Sequence, residues 1–412
     1  MPLRDSTLEG KMSQTKTILL ITSARRKASS GGPSLVVHML MKSLHSVKSD
    51  FSYEAVFSDT VAKNLNQLEP SAKDYFRSGR FPRLPMWVAG NLITSFAVVF
   101  NLARARLGLR KAETVVNAHD FIAGFISHLM LRPHLILTLH YKGGWADETL
   151  VEFPYLRGSV LHRVIRCIER KSINACEAVV FPSKGAREAF EKSHSGWLSQ
   201  KRVTVIYNGV DFKEIDSMRN VRTYSKDCPA NLVLFVGGLV KEKGVDVLVN
   251  AMSKLPKQVP LGSTCFIIGK GYILNDLRKL ISRLGLEDRV QLLGFVSRAE
   301  VLGWMKSAKV FAVPSRVSVF DYALLEAAAS GAAIITTQTG GNLEMFSRDS
   351  VIFVETDNVE QLADGIQLLL TDQELRSALT QKSTRWVRDN FSIEKMALSY
   401  QREYAHLARK YF

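Results

Sequence analysis

The 412-residue chain has only four cysteines, Cys167, Cys176, Cys228 and Cys265. They form neither a CxxC pair nor a dense spacing, so no disulfide framework is indicated, and reduced core thiols of a cytosolic protein are expected. Residues 1–16 lack the apolar centre of a signal peptide and read as a disordered lead-in. No clean apolar run of spanning length occurs. The nearest, 84–103, is broken by Pro85, Gly90, Asn91 and Asn101 and followed by Arg104, Arg106 and Arg110. It reads as a buried domain helix, with an interfacial helix as the second reading and a true span as the third. Low-complexity tracts and short tandem repeats are also missing, which leaves an ordinary globular chain long enough for two domains.

Acidic residues are in short supply. The formal net charge is +16, and the imbalance sits in residues 1–205, with 29 Lys and Arg against 16 Asp and Glu; residues 206–412 hold 26 against 23. A basic surface attracts nucleic acid and anionic lipid alike. The basic residues are scattered, without the interleaved aromatics of a nucleic-acid module. No nucleic acid is therefore expected as a partner. An anionic membrane surface is, the alternative being the charge of a generally basic proteome.

What the chain does have is rhythm. Short apolar runs alternate with amphipathic stretches, the βαβ pattern of a parallel sheet covered on both faces. Strands are expected at 17–22, 114–117, 135–138, 178–181 and 203–207, then at 232–236, 264–268, 290–293, 310–313, 333–336 and 351–354. The fold class is α/β, with two doubly wound domains at 17–211 and 212–390. The join follows the turn Asn208-Gly209-Val210-Asp211, and the last segment, 391–412, is a helix that crosses back to the first domain.

Glycines cluster where such strands end. After the first strand, Gly31 and Gly32 precede a helix expected from Leu35, so bare backbone and a helix N-terminus could receive an anion; a tight turn is the plainer reading. The spacing is not GxGxxG, and a dinucleotide is not indicated. His119 and His140 each fall directly past a strand's carboxyl end, where ligands of open α/β sheets sit. His140 is the stronger candidate for a sugar hydroxyl or developing charge, while His119 reads more readily as a structural hydrogen-bonder. Their spacing, with no carboxylate cluster, is not a metal motif. Lys142 follows as a second polar contact for acceptor or sugar.

In the second half, Gly237-Gly238 end a strand, and Lys241 to Gly244 open a helix from Val245. Lys243 can reach a diphosphate there, aided by the helix N-terminus, while Lys241 reads as a solvated neighbour. Gly269 and Gly271 flank Lys270 past the next strand. Gly294, Phe295 and Val296 offer backbone to a base edge. Phe320, Asp321 and Tyr322 lead into a helix carrying Glu326 among apolar residues. A buried glutamate there is costly unless paired; a ribose diol would pair it, and a backbone cap is the plainer alternative. Gly340-Gly341 form another exposing turn.

Taken in order, these motifs resemble the retaining, GT-B-fold glycosyltransferases of family 4. The matching stretches are Ser30 to Pro33, His119-Asp120, His140, Val205 to Asp211, Val236 to Gly244, Ile267 to Gly271, Gly294, Pro314-Ser315, Glu326 to Gly331, Gly340-Gly341 and Glu344. The resemblance implies two domains facing across a cleft, the first for the acceptor and the second for a nucleotide-sugar. It implies that Lys243 binds the donor pyrophosphate, Glu326 the ribose hydroxyls and His140 the transferred sugar, with no metal or other cofactor. Gly31-Gly32 would approach the donor. Two positions depart from the family. Gly238 stands where an arginine is usual, and Ser318 where a glutamate eight residues before Glu326 is usual, so Ser318 enters the expected catalytic set as a neutral replacement beside His140 and Lys243. The expected activity is transfer of a hexose to a glycan or lipid-linked acceptor in cell-surface polysaccharide or glycolipid synthesis, in the cytoplasm at the inner membrane face. A non-catalytic sugar-nucleotide-binding subunit and a GT-B sugar-nucleotide epimerase are the alternatives.

Overall fold

A computed structural model describes residues 16–21, 33–46, 51–56, 114–131, 133–217, 228–256 and 263–411. The lead-in before Lys16, the Gly31-Gly32 turn and the 84–103 segment lie outside them. Two six-stranded sheets, entirely parallel, carry the architecture. The first holds β1 (Lys16–Ile21), β2 (Phe51–Val56), β3 (Thr114–Ala118), β4 (His134–Thr138), β5 (Ala178–Phe181) and β6 (Arg202–Val205) in the order β2-β1-β3-β4-β5-β6. The second holds β7 (Asn231–Val236), β8 (Ser263–Ile268), β9 (Val290–Gly294), β10 (Val310–Val313), β11 (Ala333–Thr337) and β12 (Ile352–Val354) in the order β12-β11-β10-β7-β8-β9.

The first sheet shows why its strands are runs rather than alternations. Along β1, Ile18 and Leu20 belong to one core and Leu19 and Ile21 to another. Val179 and Phe181 of β5 face the second core, Ala178 and Val180 the first. Both faces of these strands are buried, so their central positions are apolar runs. One face is covered by α1 (Pro33–Ser46), which starts at Pro33 rather than Leu35, as suits proline at a first helical position. The other is covered by α2 (Phe121–Leu131), α4 (Val160–Ala175) and α5 (Lys184–Ser193); α3 (Trp145–Glu152) packs on α4. Cys176 and Cys265 are core thiols as expected, but Cys167 is exposed on α4.

The chain enters the second domain through α6 (Phe212–Ser217) and winds it with α7 (Val245–Lys254), α8 (Leu274–Arg283), α9 (Arg298–Ser307), α10 (Tyr322–Ser330), α11 (Asn342–Met345), α12 (Val359–Thr371) and α13 (Gln373–Asn390). The last helix, α14 (Ile393–Tyr411), lies on the first sheet with Tyr400, Tyr404 and Leu407 buried beside Ile18, Leu20 and Val36. Tyr404 accepts a 2.9 Å hydrogen bond from Asn117, and Glu403 pairs with Arg202 at 2.8 Å. The two crossings between domains run together: Val210 N–H donates to Phe391 and Ile393 N–H to Val210. Among the described residues no helix is long and apolar enough to cross a membrane.

Candidate functional site

In a doubly wound sheet, strands on either side of the order reversal send their loops to opposite faces, and a crevice opens beyond their carboxyl ends. In the second sheet that reversal lies between β7 and β10. A cavity of about 330 Å³ occupies it, the size of a small-molecule site. Gly238, Lys243, Gly269, Phe295, Val296, Phe320, Asp321, Tyr322 and Glu326 all line it. Loops scattered through the sequence thus meet because each follows a parallel strand.

Lys243 closes a 3-10 turn, Lys241–Lys243, held by Gly244 at φ 63°. A Cβ on Gly244 would lie 2.0 Å from the Pro314 carbonyl, so the turn can approach β10 only with glycine there. The Lys243 ammonium forms an ion pair with Asp321, whose other oxygen accepts 2.7 Å from Ser315. Burial and the charge of Lys142 pull Lys243 down to about 7, while Glu242 opposes them. Ser318 is placed differently from the sequence expectation of a sugar contact: it is buried and its hydroxyl donates 2.7 Å to Asn342, which reaches Thr336 at 3.0 Å and Asp321 at 3.4 Å. It supports the Lys243–Asp321 pair from behind.

Among the described residues Glu326 has no backbone cap, and its carboxylate is paired with Arg298. Arg298 Nη2 lies 2.7 Å from its Oε1, yet without hydrogen-bond alignment, so that buried oxygen keeps a lone pair open. Burial raises the carboxyl above its ordinary value, and Arg298 works against it. Arg298 is itself held by a two-point pair with Glu214 at 2.8 and 2.9 Å. Also on the lining, Lys270 stands 4.6 Å from the centre of the Phe295 ring. Gly271 has a packing duty, since a Cβ would lie 2.0 Å from the Leu239 carbonyl. The Gly294 carbonyl accepts from Gly269 N–H at 2.8 Å, fixing the turn that presents Phe295. Tyr322 lines the cavity but sends its hydroxyl 3.0 Å to the Gly209 carbonyl at the domain crossing.

The first domain contributes a pair of stacked imidazoles. His119 Nδ1 and His140 Nε2 share a 3.2 Å hydrogen bond, with rings 5.5 Å apart and 12° from parallel. His119 is fully buried and its Nε2 is unpartnered. Burial lowers His140 to about 4 and, with His140 adjacent, puts His119 well below its ordinary value. Both are neutral at physiological pH, so His140 can exchange hydrogen bonds with a ligand but supplies no charge. Lys142 follows on the β4–α3 loop, its N–H donating 2.7 Å to Glu148. The domains are clasped by Glu344, which accepts from Lys184 N–H at 2.8 Å, Gly185 N–H at 2.7 Å and Tyr207 hydroxyl at 3.0 Å.

Comparison with known proteins places this geometry. Residues 31–214 match the model of Glycosyltransferase Family 4, and residues 219–386 that of Glycosyl transferases group 1. The chain belongs to the GT-B glycosyltransferases. It is 28% identical over 309 residues to an uncharacterized glycosyltransferase of Methanocaldococcus jannaschii, covering 71% of this chain and 74% of that one. It is 30% identical over 222 residues, 53% of this chain and 58% of the relative, to the N-acetylgalactosamine-N,N'-diacetylbacillosaminyl-diphospho-undecaprenol 4-alpha-N-acetylgalactosaminyltransferase of Campylobacter jejuni. HepE of Anabaena, solved in complex with UDP and glucose, superposes with a TM-score of 0.67 at 17% identity, over 95% of this chain and all of that one.

Sequence reasoning overlooked one residue of this glycosyltransferase that the cavity brings forward. Arg298 lines the pocket and faces Glu326. The available signal was the capping box Ser297-x-x-Glu300, which starts α9 directly after Phe295-Val296 and so puts a basic residue at the crevice.

Proposed function

We propose that the chain transfers a hexose from a nucleoside diphosphate sugar to a glycan or lipid-linked acceptor with retention of the anomeric configuration. One observation carries the reading: a single cavity at the β7/β10 reversal is lined together by Lys243, bare glycine backbone, the buried Glu326 carboxylate and the Phe295 ring. Phosphate, ribose and base call for groups of these kinds. The complex of HepE with UDP and glucose supports it. As the glycosidic bond breaks, negative charge grows on the leaving diphosphate, and Lys243 with nearby N–H groups stabilises it more in the transition state than before. The departing phosphate oxygen takes the acceptor's proton on the same face. His140, neutral, orients the transferred sugar, and the scheme uses no resident metal.

The acceptor side fits a lipid-linked substrate at the inner membrane face. Val151, Tyr155, Val160 and Val164 are exposed on α3, the following turn and α4, beside exposed Arg157 and Arg163. Exposed apolar side chains with arginines among them suit an anionic bilayer surface. The Campylobacter relative's name carries a diphospho-undecaprenol acceptor, which supports the same class.

A thermal-shift panel of UDP-, GDP-, ADP- and dTDP-sugars on the wild type and Lys243→Ala tests the donor site, since a ligand that binds only the folded state raises its stability. A shift with one nucleotide class that Lys243→Ala abolishes is expected. Absence of any shift would favour a non-catalytic scaffold, and conversion of donor without acceptor an epimerase.

A further inference from the structure

We propose that Lys142 supplies the second diphosphate cation, so that the phosphate grip is built from one lysine of each domain. The inference rests on the donor-site reading above and adds a residue to it.

The second-domain cations that line the cavity, Lys243, Lys270 and Arg298, are each engaged. Lys243 is in contact with Asp321, and Arg298 is committed to Glu214 and Glu326. Arg316 is bound to Asp246, Asp357 and the Lys241 carbonyl, and Lys270 stands over Phe295. A diphosphate brings more negative charge than one half-neutralised lysine balances. The family's usual arginine position is Gly238, which lines the cavity and whose added Cβ would meet nothing within 4 Å. The space for a cation is open and its own strand does not fill it.

Lys142 lies on the β4–α3 loop of the first domain, within electrostatic reach of the Lys241–Lys243 turn. Its backbone N–H is fixed by Glu148, but its ammonium has no hydrogen bond or ion pair among the described residues. It stands near enough to Lys243 for its charge to hold that group down, and near enough to Glu242 of the same turn to be held up by it; burial nevertheless keeps Lys142 below the ordinary lysine value. Two lysines that repel each other in the free protein are a natural seat for a polyanion between them. The loop presenting Lys142 is stiff. Gly144 N–H donates to Asp147 at 2.9 Å and Ala146 N–H to the fully buried Glu169 at 2.9 Å. A Cβ on Gly144 would lie 2.5 Å from a Glu169 oxygen, so the loop is seated directly on that carboxylate.

Calorimetric titration of UDP, GDP and ADP, with the uncharged nucleosides uridine, guanosine and adenosine as controls, tests it in the wild type, Lys142→Ala, Gly238→Arg and the double variant. One diphosphate should bind the wild type, Lys142→Ala should weaken it about tenfold or more, and the matching nucleoside should be unaffected. Adding Gly238→Arg to Lys142→Ala should restore the affinity. Wild-type affinity in Lys142→Ala, an equal loss for nucleoside and diphosphate, or a loss that Gly238→Arg leaves untouched would each overturn the proposal while the donor site stands. Failure of the wild type to bind any of the six ligands, or dTDP and thymidine titrated alongside them, would remove the donor-site reading and this inference with it.

Discussion

Lys243 carries opposed influences, burial and the charge of Lys142 toward the neutral amine and Glu242 toward the ammonium, and its ammonium contacts Asp321. A diphosphate binds the ammonium and so must raise its pKa further. With the free group lowered to about 7, binding takes up no proton below that pH and takes up one above it. Affinity for the cognate nucleoside diphosphate should therefore be flat below about pH 7 and fall by up to about tenfold per pH unit above it, a slope that Lys243→Ala removes; titration from pH 6 to 9 reads it directly. Asp321 acts in the other direction. Its carboxylate occupies the ammonium a phosphate needs, so Asp321→Asn should tighten binding of the sugar-free diphosphate, by about fivefold for roughly 1 kcal/mol of relieved repulsion. Weaker binding in that variant would instead mark Asp321 as a direct ligand contact.

The elements set how well those side chains are aimed, and here the Lys241–Lys243 turn is the critical piece. Ala at Gly244 would adopt a left-handed conformation and collide with the Pro314 carbonyl. Gly244→Ala should cost about 2 to 4 kcal/mol, seen as a lower urea midpoint with an unchanged slope, whereas Gly238→Ala, in open space, should stay within about 0.5 kcal/mol. Elements of this kind were largely legible in the sequence. The doubly buried strands stand out as apolar runs, and β5 and β10 fall at the expected limits, 178–181 and 310–313. The strand overlooked is β2, Phe51-Ser52-Tyr53-Glu54-Ala55-Val56, which lies at the sheet edge with Tyr53 buried and Glu54 exposed. Its mixed pattern is that of a strand covered on one side only. The cavity lining was legible for a related reason, since loops after parallel strands must converge. The partners within it were not: nothing local ties Lys243 to Asp321, Glu326 to Arg298, or turns Ser318 toward Asn342.

At the scale of the molecule, the described residues of the two domains meet at the chain crossings and at a cluster of hydrogen bonds around Glu344. The crossings at Val210 and Ser392 lie side by side, so both chain passages bend at one place. Tyr322 braces that place through Gly209, and Ser183 donates 2.7 Å to the Val319 carbonyl at the cleft. Opposite the hinge, Glu344 binds the first two N–H groups of α5 and the Tyr207 hydroxyl. A carboxylate at a helix N-terminus also meets the helix dipole, and Tyr207 is pushed up to about 12 by burial and by that carboxylate. Glu344 is therefore a clasp made of charged hydrogen bonds, each worth at most about 1.5 to 3 kcal/mol and less where water competes. Glu344→Ala should open the cleft without unfolding either sheet: the radius of gyration from small-angle scattering should rise while the unfolding free energy from urea titration stays within about 1 kcal/mol of the wild type. Because the proposed phosphate grip needs Lys142 and Lys243 on opposite sides of one anion, the same variant should lose diphosphate affinity severalfold and regain it with Gly238→Arg, which places both cations on one domain. An unchanged scattering curve would assign closure to the Ser183 and Tyr322 contacts instead.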